Sequence, residues 1–142
     1  MREKTLNLLG LMRRANAIAL GEDNTGAAAQ SGKTRLLLLA ADASENARKR
    51  AEAFSRGHSF TLVELPFSKE EISSHVGVGG CSMAAVTDMG FADALMRLLA
   101  EQWPETYGEA AGETAARLAR MKRRKRGADS KSKRIGKWRT NV

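Results

Sequence analysis

Apolar and polar residues follow several different spacings along the chain, and each spacing predicts a type of element. From residue 3 to residue 15 the apolar side chains recur every three or four positions, which is the spacing of an amphipathic helix. Further helices are predicted over residues 22–31, over about 45–56, and after the cap residue Asp88. A Ser-x-x-Glu capping box at residues 68–71 predicts the start of another short helix.

Short apolar runs between these helices predict strands. The longest apolar run, at residues 36–41 (LLLLAA), has the length of a strand, so the sequence predicts a central strand over residues 35–40 that is covered on both faces. Residues 17–20 predict an edge strand, and residues 60–65 and 83–87 predict two more. Because strands and helices alternate, the sequence predicts an α/β domain with helices on both faces of a small sheet.

Composition adds limits on the class of protein. The chain has 142 residues, of which 42% are hydrophobic, enough to build a core. No apolar run approaches the roughly 20 residues of a membrane helix, and Arg13 and Arg14 interrupt the Leu-rich N-terminus where a signal peptide would need its apolar core. The single cysteine, Cys81, excludes an internal disulfide and a cysteine-cluster metal site. We therefore expect a cytoplasmic protein with no membrane partner, no metal and no cofactor.

Positive charge is concentrated at the C-terminal end. The net charge is +8, but residues 117–142 hold twelve Lys or Arg and one Asp, so this segment carries +11 and the rest of the chain −3. Beyond Pro104 the apolar pattern thins, which predicts a domain over residues 1–103 and a basic extension over 104–142, disordered in its basic part without a partner. Such a segment fits phosphate neutralisation with base stacking, although basic runs are also often only solvated. The candidate RNA contacts here are Lys122, Arg123, Arg124, Lys125, Arg126, Lys133, Arg134, Lys137 and Trp138.

Two stretches of the body have the residues of a binding site. Residues 21–24 (GEDN) place acceptors and unpaired backbone N–H groups at a helix start, which can receive a phosphate or present side chains to splayed bases. Plain helix capping is the alternative there. The glycines at residues 77–80 allow close approach of the backbone to a ligand, but they match neither a P-loop nor a dinucleotide fingerprint. A connector without a ligand is the alternative for this loop.

Four segments together resemble a known family. They are residues 6–14 (LNLLGLMRR), 21–32 (GEDNTGAAAQSG), 36–46 (LLLLAADASEN) and 76–95 (VGVGGCSMAAVTDMGFADAL). In this order they are similar to the ribosomal L-seven-Ae family of kink-turn RNA-binding proteins, and most to its bacterial stand-alone, YlxQ-like branch. The resemblance implies a three-layer α/β/α sandwich around a small four-stranded mixed sheet. It also implies a non-catalytic protein that recognises structured RNA, ribosomal or other, with ribosomal proteins as further partners.

The resemblance implies that RNA contacts come from two places, the first being the start of the second helix. The family has Gly-x-Asn-Glu there, followed shortly by Lys. Gly21 matches, whereas Asp23 and Asn24 stand where Asn and Glu are usual, and Ala27 stands where the Lys is expected. The implied contacts are Gly21, Glu22, Asp23 and Asn24.

The second place is the loop before the last strand. Its glycines match at Gly77, Gly79 and Gly80, while Val78 and Cys81 occupy positions that are commonly basic in the family. The resemblance implies that all five residues of this loop contact RNA.

Two other functions remain open at the level of sequence. The absence of basic residues at Ala27 and Val78 favours a ribosome-associated module that binds protein, with RNA held by the basic tail alone. A small α/β hydrolase or transferase would use the glycine loop with His75 or Cys81, although nothing in their spacing requires such a pair.

Overall fold

The computed structural model describes the backbone of residues 2–79 and 81–140, and the side chains of these residues as far as Lys125. Its helices are α1 (Arg2–Arg14), α2 (Glu22–Gln30), α3 (Glu45–Ser55), α4 (Lys69–Val76), α5 (Met89–Gln102) and α6 (Pro104–Thr140). Its strands are β1 (Ile18–Leu20), β2 (Leu36–Leu39), β3 (Thr61–Glu64) and β4 (Met83–Val86). The helices and strands predicted for the first 103 residues are therefore all present and in the predicted order.

The strands form one mixed sheet in the order β1-β4-β2-β3. β2 runs parallel to β3, and β4 runs antiparallel to both β1 and β2. At one end of the sheet Leu39 pairs with Met83, and at the other Leu36 pairs with Val86. We call these the Met83 end and the Val86 end. The sheet confirms the predicted class, with β1 at an edge and β2 in the interior.

Helices cover both faces of the sheet, which explains why β2 has no polar residue. Leu36 and Leu38 pack into the larger core with apolar residues of α1, α4 and α5. Leu37 and Leu39 face the other way and pack against Ala47 and Ala51 of α3. All four leucines of the strand are buried. The result is the three-layer α/β/α arrangement that the resemblance implies.

The predicted helix starts are confirmed by their caps. The Ser68 hydroxyl accepts from the Glu71 N–H at 3.1 Å, and the Glu71 carboxylate accepts from the Ser68 N–H at 3.1 Å. This reciprocal pair is the capping box expected at the start of α4. The Asp88 carboxylate accepts from the Phe91 N–H at 2.9 Å and caps α5 in the same manner.

The first part of α6 packs against the body of the protein, and the domain boundary at residues 103/104 stays a prediction. Tyr107 is buried and its hydroxyl donates to the Glu64 carbonyl at 2.7 Å. Thr114 is also buried, and Leu118 packs against the core. These residues recur at helical spacing and give the helix one face to bury, although the apolar positions looked too sparse in the sequence.

The basic part of α6 lies beyond these contacts. Its side chains are described only to Lys125, so the predicted contacts Arg126, Lys133, Arg134, Lys137 and Trp138 lie outside the described side chains. Disorder of this segment in the absence of a partner stays a prediction. Within the described ranges, no helix is both long and apolar enough to cross a membrane.

Candidate nucleic-acid interface

The start of α2 is fixed by the backbone of Gly21. This residue has φ 87° and ψ 167°, a combination that is open almost only to glycine. Its N–H donates to the Met83 carbonyl at 3.0 Å, and its carbonyl accepts from the Thr25 N–H at 2.9 Å. A β-branched residue such as valine would therefore be strained at this position.

The three side chains after Gly21 have different surroundings. Glu22 forms an ion pair with Arg50 of α3, with 2.8 Å between Oε1 and Nε. The Asn24 amide donates to the Leu20 carbonyl at 2.9 Å, which holds that exposed side chain against the end of β1. Asp23 is exposed and makes no ion pair or hydrogen bond to any residue that the structure describes. Asp23 and Asn24 are thus presented to solvent, whereas Glu22 is engaged with α3.

The glycine loop, residues 76–80, begins where α4 ends. Gly77 adopts the left-handed conformation, with φ 76° and ψ 16°, and its N–H donates to the Ser73 carbonyl at 2.8 Å. The Arg13 guanidinium donates to the Val76 carbonyl at 2.5 Å, so a cation from the end of α1 lies over the loop. Gly79 is exposed, with no atom within 4 Å of where a Cβ would stand.

The remaining residues of the loop differ from the sequence expectations. Val78 is half-buried and packs against the core, so only part of its surface faces outward. Gly80 lies outside the described residues. Cys81 is 1% exposed, and its Sγ donates to the Met83 carbonyl at 3.6 Å. The Cys81 side chain therefore belongs to the core, and the RNA contact of this residue stays a prediction.

The loop and the start of α2 meet at the Met83 end of the sheet. Both Gly21 and Cys81 bond to the Met83 carbonyl, one through its backbone and the other through its thiol. Burial raises the pKa of the Cys81 thiol, although its contact with the Gly21 backbone opposes this shift. The structure thus brings the two predicted binding segments into direct contact.

The geometry gives no support to a cysteine–histidine pair. The His75 ring lies 2.9 Å from the Glu71 carbonyl and 3.2 Å from the Ser74 hydroxyl, both within its own helix. A buried thiol with a raised pKa is also a poor nucleophile. Among the described residues, no group of three or more His, Cys, Asp or Glu side chains is arranged to hold a metal ion.

A groove between α2 and the edge strand β1 supplies cations that the sequence reasoning missed. We call it the α2 groove; it is lined by Arg13, Asn24, Ala27, Lys33 and Val78, among others. Positive charge thus lines the groove that contains the uncharged Ala27 and Val78. Neither cation could be assigned from the sequence, because only the fold brings the end of α1 and the loop after α2 to one surface.

The chain was also compared with known proteins. No family model matches this chain. It is 34% identical over 98 residues to the RNA-binding protein YlxQ of Enterococcus faecium, covering 69% of this chain and 93% of that relative. It is 32% identical over 96 residues to the RNA-binding protein YlxQ of Bacillus subtilis, covering 65% and 91%. A solved structure of a protein of unknown function from Bacillus halodurans superposes with a TM-score of 0.61 at 26% identity, covering 67% of this chain and 95% of that one.

Proposed function

This chain belongs to the family of the RNA-binding protein YlxQ, and on that premise we propose that it is a non-catalytic RNA-binding protein of the cytoplasm. Its ligand is structured RNA with a kink-turn-like bend, ribosomal or part of another ribonucleoprotein. The shape of the RNA is recognised by the start of α2 and the glycine loop. The basic tail adds affinity without reading shape.

One observation carries the proposal, the hydrogen bond from the Gly21 N–H to the Met83 carbonyl. This bond ties the start of α2 to the segment that follows the glycine loop. A kinked RNA exposes splayed bases and closely spaced backbones, which a protein recognises with a composite surface rather than a single helix. The two segments together offer such a surface at the Met83 end.

Charge supports the same assignment. The body carries −3 overall, which disfavours indiscriminate binding of phosphates by its whole surface. Arg13 and Lys33 nevertheless place two cations on the α2 groove, which the exposed Asn24 also lines. Cations beside short polar side chains suit a contact in which phosphates position the RNA and side-chain amides reach base edges.

The test is a competition gel shift with the full chain. Labelled kink-turn RNA is competed with unlabelled kink-turn RNA or with an unkinked duplex of the same length and base composition. We expect the kinked competitor to displace the label at much lower concentration. Equal potency of the two competitors would refute shape recognition.

A second function is favoured by one specific feature, the absence of charge at Ala27 and Val78. In this alternative the body binds a ribosomal protein and the tail alone holds RNA. It predicts that a chain ending at Met121, which keeps Leu118 but lacks the basic run, binds no RNA but still co-sediments with ribosomes. Kink-specific binding by that shortened chain would exclude it.

A further inference from the structure

A second concentration of positive charge lies at the Val86 end of the sheet, opposite the glycine loop. Here the start of β2 and the middle of α6 enclose a hollow of the surface. We call it the arginine hollow; the residues that matter in its lining are Thr34, Arg35, Phe60, Arg117, Arg120 and Arg124. It shares Arg124 with the basic tail, but Arg35, Arg117 and Arg120 lie before the basic run at residues 122–126.

The three arginines of α6 stand on one face of the helix, because positions 117, 120 and 124 are separated by three and four residues. Arg35 joins them from the chain that enters β2, where its N–H donates to the Val86 carbonyl at 2.7 Å. Four arginines, three of α6 and one directly before β2, thus line one hollow.

Unlike the four arginines that form ion pairs in the described part of the chain, these arginines have no acidic partner there. Arg50 and Arg97, for example, form ion pairs with carboxylates. The four arginines of the hollow form no ion pair and no side-chain hydrogen bond with any residue that the structure describes. The Glu113 carboxylate, one turn before Arg117, lies instead within 3.4 Å of the Thr61 hydroxyl. Like charges that are gathered and left unneutralised indicate a place for an external anion.

A buried hydroxyl gives an independent indication of a ligand. Thr34 is 6% exposed, and its Oγ1 has no hydrogen-bond partner among the described atoms. A buried hydroxyl without a partner is costly. Thr34 lines the same hollow as the arginines, and we include its hydroxyl among the donors offered to a bound anion.

We propose that the arginine hollow is a second RNA site, which binds the phosphate backbone of a stem that continues beyond the part of the RNA held at the Met83 end. Planar guanidinium groups bind phosphate oxygens in pairs and are the side chains best suited to this ligand. The four-residue strand β2 separates the two ends of the sheet, a distance of about 13 Å at 3.3 Å per residue. Lys33 on the α2 groove directly precedes Thr34 in the chain, so cations continue from one site toward the other.

The test compares two double variants that remove the same charge. Arg117→Gln with Arg120→Gln changes a half-buried and an exposed side chain of the hollow, and Lys4→Gln with Lys49→Gln changes two exposed lysines on α1 and α3. Each full-length variant is titrated against a kink-turn RNA with an extended stem and against one trimmed to the kink. Thermal melts check that both variants fold like the wild type.

On the extended RNA we expect the arginine variant to bind about tenfold more weakly than wild type and the lysine variant to change less than about twofold. The slope of log affinity against log salt should fall by roughly 0.7–0.9 for each lost phosphate contact. On the trimmed RNA both variants should match wild type within about twofold, because the hollow lies away from the kink. Equal affinity of the two variants for the extended RNA would overturn the proposal, and so would an equal loss on both RNAs.

The inference rests on the proposed RNA binding, but the two can fail separately. If wild type shows no preference for kinked RNA while the arginine variant alone loses affinity for the stem, the proposed kink recognition is wrong and the proposed RNA site in the arginine hollow is supported. Thr34→Val removes only the unpartnered hydroxyl and should not lower the melting temperature. Thr34→Val should weaken binding to the extended RNA about threefold in the wild-type background. Added to the arginine variant, it should leave the affinity unchanged. An equal loss in both backgrounds would overturn the proposed phosphate contact of Thr34.

Discussion

The guanidinium of Arg13 occupies the space beside Gly77 that any side chain at that position would need. A Cβ built on Gly77 would lie 2.7 Å from the Arg13 Nη1, which itself donates to the carbonyl of the neighbouring Val76. The cation therefore caps the end of α4 and lies over the glycine loop at the same time. The end of α1, which carries no part of the predicted binding segments, thereby helps to shape the interface.

Gly77→Ala should destabilise the protein by about 1–2 kcal/mol. The residue has a φ of 76°, where alanine is disfavoured by about that amount, and the new methyl group would displace Arg13. Urea unfolding of the two proteins measures the difference. The control is Gly79→Ala, where a Cβ meets no atom within 4 Å. A control variant as unstable as Gly77→Ala would contradict this explanation.

Lys33→Gln should weaken RNA binding without changing stability. Lys33 is exposed on the α2 groove, so its charge is available to one phosphate of a bound RNA. Removing this charge should reduce the steepness of the plot of log affinity against log salt concentration by about 0.7–0.9. Fluorescence anisotropy over a range of salt concentrations tests this, with Lys49→Gln on α3 as the charge-matched control. Identical slopes for the two variants would show that Lys33 contacts no phosphate.

The distal tail should add affinity for every RNA by a similar factor. A chain that ends at Lys125 keeps the packed part of α6 and removes six Lys or Arg together with Trp138. A deletion that began at residue 117, where the basic segment starts, would also remove Leu118 from the core. We expect a flatter salt dependence and an unchanged ratio of kinked to unkinked affinity. A truncated protein that loses this preference would assign shape recognition to the tail.

Trp138→Ala in the full chain should cost less than the truncation, about 1–3 kcal/mol of binding free energy if a base stacks on the indole. The same anisotropy titration at one salt concentration measures this loss. An effect as large as that of the whole truncation would assign the affinity of the tail to stacking rather than to charge.

Stability should depend on the charge of Glu71 at neutral pH. Hydrogen bonding by the Ser68 N–H and by Arg2 holds the pKa of Glu71 below its ordinary value of 4.5. A pKa lowered by folding means that the carboxylate stabilises the protein above the ordinary pKa and loses this contribution as the pH falls through the lowered one. Glu71→Gln should therefore melt at a lower temperature than wild type at pH 7, and the gap should shrink on acidification to pH 3.

The matched control for this pH dependence is Glu70→Gln. Glu70 is the exposed neighbour and forms no ion pair within the part of the chain that the structure describes. Its substitution should change the melting temperature little at either pH. A gap for Glu71→Gln that stays constant with pH would contradict the role assigned to the carboxylate.

The sequence predicted the body of this fold well because local signals agreed with the global arrangement. The uninterrupted apolar run of β2 predicted burial on both faces, which the structure confirms. Ser68 and Asp88 predicted helix starts, and both residues cap helices in the structure. The packing of Tyr107 was missed, because one aromatic residue in a thin apolar stripe gives almost no periodic signal.

The site was predicted less completely for a different reason. Arg13 and Lys33 are separated by twenty residues of chain, and only the packing of α1 and α2 places them on one groove. Cys81 looked accessible because it follows a glycine loop, yet the turn into β4 directs its thiol into the core. Local residue types indicate which segments can bind, but tertiary packing decides which side chains face outward.

Recognition of RNA shape by the start of α2 is tested most directly by the ratio of dissociation constants for unkinked and kinked RNA, measured in wild type and in Asn24→Ala. The Asn24 side chain is exposed beside Gly21 and held by the Leu20 carbonyl at 2.9 Å. Its loss should remove one base contact, worth about 1–3 kcal/mol by analogy with bidentate pairs to bases, from the kinked complex alone. Asn7→Ala on the exposed face of α1 is the control. We expect the ratio of dissociation constants to fall for Asn24→Ala and to stay at the wild-type value for Asn7→Ala. An unchanged ratio for both variants would show that the start of α2 does not recognise the shape of RNA.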